Sequence, residues 1–169
     1  MLTLVPRPLV RVLMVGLVLL TVQTTLLAGL RPFGISADIM LGAAVCAGVV
    51  AGAELGALAG FLLGLLFDLL LVSPLGLSAF SYGVAAFTVG AIKSAITVGQ
   101  AWWLTAVLVF AGSAGGIVLF AVSGTLVGQE GWVQYRLLGQ AVVVGGVNAV
   151  VAVPRSWLMK WAMRVEREA

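Results

Sequence analysis

The sequence predicts an all-α protein: a polytopic membrane bundle of six transmembrane helices. Three observations carry this expectation. The 169-residue chain is 62% hydrophobic and only 9% charged, whereas about a quarter of an ordinary soluble domain is charged. Its apolar residues fall into runs long enough to cross a bilayer. Five glycines, Gly48, Gly52, Gly56, Gly60 and Gly64, recur at every fourth position through the most apolar stretch, and Asp68 takes the next step. In a soluble helix each glycine costs about 1 kcal/mol relative to alanine. In a bilayer the absence of water enforces the helix, and a strip without side chains lets another helix approach closely.

The first run, Val12 to Leu30, has no charge and exceeds the ~18 residues that mark a spanning segment. Arg7 and Arg11 precede it, as they would in a signal peptide. The run is long for that role and no small-residue cleavage pattern follows, so it reads as a retained helix. From Ile39 to Val72 the chain is apolar except for Glu54 and Asp68. As one helix it would extend about 50 Å, against a hydrocarbon core of ~30 Å, so it must break. Glu54, between Gly52 and Gly56, is the expected place. That puts the end of helix 2 near Ala53 and the start of helix 3 near Leu55; a re-entrant hairpin is the competing arrangement. Ser73-Pro74 supplies an N-cap and a first-turn proline for helix 4, which runs to about Ile92 and stops at Lys93. Helix 5 occupies most of Trp102 to Val127. Helix 6 runs from about Leu137 to Val153, ahead of Pro154.

Residues 1–153 therefore form the membrane domain and residues 154–169 a basic amphipathic tail. Six spans put Arg7, Arg11, Lys93, Arg155, Lys160, Arg164 and Arg167 on one side, with only Arg31 and Arg136 on the other. The basic excess assigns both termini to the cytoplasm. All five tryptophans fall at span ends, where amphipathic rings prefer to sit. In the tail, Lys160, Arg164 and Arg167 alternate with Trp157, Leu158, Trp161 and Val165. With Arg155 they read as a surface lying on the anionic leaflet, or as simple anchoring of helix 6.

Several residues stand out as functional candidates. The glycine series serves either packing within the bundle or the docking of a partner's helix. Asp68 lies about one turn inside the external end of helix 3, where a carboxylate is costly unless it is paired or reaches water; an ion or proton relay, or a ligand contact, is the alternative to a structural role. Its candidate partners are Arg31, Arg136, or the free N–H groups at the start of helix 4, and the arrangement reads as a polar latch. Glu54 could approach Lys93. Asp38 suits the positive end of helix 2, and Asn148 is placed to hydrogen-bond across to another helix. Gln23 and its threonine neighbours make the outer half of helix 1 polar. Chemistry is poorly supported. The chain has no histidine, Cys46 is its single cysteine, and no cluster has metal-ligand spacing. Neither an enzyme nor a cofactor or metal is expected. The net charge of +3 is too small and too dispersed for nucleic acid binding.

The stretch Gly56-Ala-Leu-Ala-Gly60-Phe61-Leu-Leu-Gly64-Leu65-Leu-Phe-Asp68, followed by Ser73-Pro74-Leu75-Gly76-Leu77, resembles the rod shape-determining MreD family. That family has a G-x-x-x-G-F-x-x-G-L-x-x-D core with a Pro-Leu-Gly-Leu turn soon after. Ala37-Asp38 departs from the Pro-Asp that often opens its second helix. The resemblance implies a six-helix fold similar to the substrate-binding subunits of energy-coupling-factor vitamin transporters. It also implies a non-enzymatic role in the bacterial cytoplasmic membrane, beside MreC, RodA, a penicillin-binding transpeptidase and MreB. Two functions are thus expected in order: a membrane scaffold of the cell-elongation machinery, and a vitamin transporter's substrate-binding subunit. For the second, Ala43, Ala47 and Ala51 could supply a docking strip.

Overall fold

The computed structural model describes residues 7–25, 38–69, 75–96, 102–128 and 136–163. Among these residues the only regular secondary structure is α-helix. The elements are α1 (Arg7–Thr25), α2 (Ile39–Ala51), α3 (Ala53–Asp68), α4 (Leu77–Ala95), α5 (Trp102–Leu126), α6 (Arg136–Val150) and α7 (Ala152–Ala162). Two of them, α1 and α5, are long and apolar enough to cross a membrane alone. The pair α6 and α7, bent by 67°, passes the same test together.

The centre of the bundle is α2. Every residue from Ile39 to Gly48 is buried, and the helix touches all six others. Its sequence explains this position, because a helix that is apolar all round has no face to offer water. At 13 residues it rises about 20 Å, short of a ~30 Å hydrocarbon core. Enclosure by protein frees it from matching the lipid.

The break between α2 and α3 falls at Gly52, two residues before the expected Glu54. Gly52 has φ +86°, a left-handed conformation that side chains resist. There the chain reverses so sharply that a side chain at Gly56 would collide with the Gly48 backbone. The two helices form an antiparallel hairpin with one residue between them.

Gly60 and Gly64 bring α3 down onto α4. A Cβ at Gly60 would sit 2.7 Å from the Tyr82 carbonyl oxygen, and one at Gly64 would sit 2.5 Å from that of Ser78. Gly48 of α2 meets the next carbonyl in the same row, that of Ala86. The four-residue step of the glycines on α3 therefore answers the four-residue step of Ser78, Tyr82 and Ala86 on α4. A side chain at Gly52 would meet nothing within 4 Å; its role is the reversal.

Three boundaries differ from expectation. Helix α1 starts at Arg7, so both arginines lie on its first turns. Helix α4 begins at Leu77 behind Gly76, and Ser73-Pro74 lies outside the described residues. It also continues past Lys93 to Ala95. The last predicted helix is two helices: α6 ends at Val150, and Pro154 sits inside the first turn of α7. A proline is tolerated there because the N–H it lacks would have had no helical partner.

Adding a methyl group separates these glycine roles. Gly60→Ala and Gly64→Ala should each destabilise the detergent-solubilised protein by about 1–3 kcal/mol, the cost of overpacking. Gly115→Ala, which meets nothing within 4 Å, should be neutral or slightly stabilising. Thermal unfolding of the three variants side by side checks this.

Candidate functional site

Two buried polar assemblies hold the bundle. The first is built on Asp68, 1% exposed at the end of α3. Its Oδ2 accepts hydrogen bonds from the backbone N–H of Gly76 (2.9 Å) and Ala79 (3.1 Å), and its Oδ1 accepts from that of Ser78 (3.1 Å). The N-cap residue of α4 is Gly76, at φ +101°, which has no side chain to offer. The carboxylate of the preceding helix does that work instead, and it also sits at the positive end of the α4 dipole. Of the partners expected for the latch, the N–H groups of α4 are the ones found. Arg31 lies outside the described residues, and Arg136 opens α6.

The second assembly surrounds the start of α2. Asp38 caps the helix, its Oδ1 accepting from Leu41 N–H at 3.0 Å, while its Oδ2 accepts from the Tyr82 hydroxyl of α4. Asn148 of α6 donates from Nδ2 to the Asp38 carbonyl (2.9 Å) and to Ser113 Oγ of α5 (3.2 Å). Its Oδ1 accepts from Arg155 Nη1 of α7 at 2.8 Å. From α1, Gln23 Oε1 accepts the Met40 N–H at 3.2 Å. Nearby, the Tyr82 ring stacks on Phe67 of α3, with centroids 6.0 Å apart. Gly42 makes room, because a side chain there would collide with both Arg155 and Asn148. Asp38 and Arg155 lie near enough to act on each other electrostatically.

Arg155 requires a correction. The tail pattern places it on the membrane surface, but it is 5% exposed and points into the bundle. The bend between α6 and α7 turns the face made by Ala152, Arg155, Met159 and Ala162 inward. Small side chains and a pliable methionine fill the interior, whereas the bulky Trp157 and Trp161 stay 75% and 54% exposed. Lys160 is on the outer face with them. The Arg11 guanidinium lies over the Trp161 ring, 5.9 Å from its centroid, tying α1 to α7. Arg164 and Arg167 lie outside the described residues.

Asn148 and Asp38 were visible in the sequence as polar residues in apolar surroundings. Tyr82, Ser113 and the inward course of Arg155 were not. The one available signal was the seven-residue interval from Asn148 to Arg155, two helical turns on one face, which the expected stop before Pro154 hid.

Chemically, the two assemblies pair buried donors with acceptors across helices, which is what fixes helices against one another; the buried Ser78 hydroxyl alone has no partner among the described residues. No protein-family model matches the chain, and neither a curated protein nor a solved structure matches it. What the coordinates define is an all-helical protein with two or three helices apolar enough to span a membrane.

Both oxygens of Asp68 are used, so an amide must turn a donor toward a donor. Asp68→Asn should cost about 1–3 kcal/mol, and Asp68→Ala, which strands three N–H groups, should cost more. For the second assembly, Asn148→Leu and Arg155→Met should each destabilise. The double variant should be clearly less destabilised than the sum, because each change alone strands a buried partner. A double-mutant cycle by chemical denaturation reads out the coupling.

Proposed function

We propose that this chain is a non-enzymatic integral membrane subunit of the bacterial cell-elongation machinery, similar in role to MreD. It crosses the cytoplasmic membrane six times, with both termini inside, and assembles MreC and through it RodA, the penicillin-binding transpeptidase and MreB. One observation carries this reading. The residues of the family-like motif act as one unit: Gly60 and Gly64 seat α3 on α4, and Asp68 then caps α4 at the Leu-Gly-Leu turn. A motif whose members cooperate in this way is a specification for a fold, not for a reaction.

Topology gains support from the packing. Lys93 and Lys160 share one cleft with the end of α2, so the two helices that bear them end on the same side, as the distribution of basic residues requires. Enclosure of α2 removes the objection that it is too short to span. The bend of α7 leaves Trp157 and Trp161 outward at that end, suited to a membrane–water boundary.

Gly48, Gly56, Gly60 and Gly64 serve packing within the chain, because α2, α3 and α4 already meet there. MreC and other partners must therefore meet the outward apolar face, including Leu58 and Phe61 of α3 and Leu17 and Val18 of α1. The filling of the interior by Arg155 and Asn148 beside Gly42 counts against the transporter reading, which needs that space for a vitamin.

Depletion of the protein in its native cells should convert rods to spheres. Affinity capture of the tagged chain from solubilised membranes should recover MreC in near-stoichiometric amount. Cells that stay rod-shaped, with MreC lost from the captured material, would refute the role.

A further inference from the structure

A second feature lies at the opposite end of α2 from Asp38. There α2, α4, α5 and α7 enclose a cleft of about 240 Å³. Lys93 of α4 and Lys160 of α7 both line it, with Thr105 and Trp102 of α5 and Ser156 of α7. These residues come from three separate helices, so the juxtaposition is made by the fold and not by sequence spacing. None of the described carboxylates, Asp38, Glu54 and Asp68, lines the cleft. Two ammonium groups on one small concavity repel each other unless an anion is shared between them.

We infer that this cleft binds a phosphate group between Lys93 and Lys160. The chemistry fits. Ammonium groups are point-charge phosphate binders, and the Thr105 hydroxyl adds hydrogen-bond capacity; that of Ser156 already donates to the Val153 carbonyl at 2.8 Å. The volume is several times the ~30 Å³ share of one water molecule, enough for a phosphate and part of what it is esterified to. Trp102, 72% exposed, stands at the mouth, where an indole favours the boundary between headgroups and acyl chains. Basic pockets between membrane helices on the cytoplasmic side recognise lipid headgroups in this way. The phosphodiester of an anionic phospholipid and a free phosphate offer the same group to the lysines. The inference rests on the membrane placement proposed above but not on any partner protein.

The test uses the full chain, purified in a neutral detergent. Thermal stability is followed while phosphatidylglycerol, phosphatidylcholine or inorganic phosphate is added. A ligand of the folded state raises the midpoint by mass action. Phosphatidylglycerol should give a saturable rise well beyond that with phosphatidylcholine. Lys93→Gln/Lys160→Gln should weaken it about 30-fold, from the usual contribution of one basic residue near anionic lipid taken twice. Lys93→Arg/Lys160→Arg, which keeps the charge, should retain the response and guards against a misfolded glutamine variant. An equal rise with inorganic phosphate, abolished by the same glutamine pair, would support the site with a soluble phosphate as its ligand. Equal responses to the two lipids and no response to phosphate, or an undiminished response in a folded glutamine variant, would overturn the assignment. Such a failure would leave the scaffold role standing, because recovery of MreC is a separate measurement.

Discussion

Backbone contact without intervening side chains governs this molecule. Along one seam α2, α3 and α4 meet through Gly48, Gly56, Gly60 and Gly64, and the carbonyls of Ser78, Tyr82 and Ala86 fit against them. Lipid tails are as apolar as leucine, so burial alone gives membrane helices little reason to associate. Close van der Waals fit has to supply it. The geometry follows: three helices so close that α2 is shielded along its whole first part, short enough to need that shielding, and ringed by every other element. Where the seam ends, Asp68 closes it by satisfying the N–H groups that α4 would otherwise leave bare.

Polar groups then select among the packings that apolar surfaces would tolerate. Asp38, Tyr82, Ser113, Asn148 and Arg155 come from the start of α2 and from α4, α5, α6 and α7, and Gln23 adds α1. Rotating any one of these helices would strand a donor or a carboxylate in a low-dielectric interior, a heavy penalty. Arg155 is the extreme case. A guanidinium is held inside, with an amide oxygen as acceptor and Asp38 nearby. Its neighbours on α7 are small, so the long stem can reach inward.

Much of the architecture could be read from the chain. The helical class, the break within Ile39–Val72, the capping role of Asp38, the cross-helix bonding of Asn148 and the pairing of Asp68 with the start of α4 all follow from local rules about charge in apolar surroundings. Other features depended on facts no local rule contains. Arg155 turns inward, against expectation, because a pattern of cations and tryptophans looks the same whether its inner stripe meets lipid or protein. The bend at Val151 decides which. The glycine series left two uses open because spacing shows that something comes close, not what. The meeting of Lys93 with Lys160 arises from the convergence of three helices and has no signature along the sequence.

The wiring of Asp38 has a consequence for biogenesis. Its side chain bonds a residue 44 positions further on, and its carbonyl one 110 positions further on. During synthesis α2 is made before α4 and α6, so Asp38 at first lacks the companions those helices bring. Completion of the interior must wait for the arrival of the last described helices. A chain lacking the later helices would leave the polar groups of Asp38 without these partners, so the same network that fixes the finished bundle distinguishes it from the unfinished one.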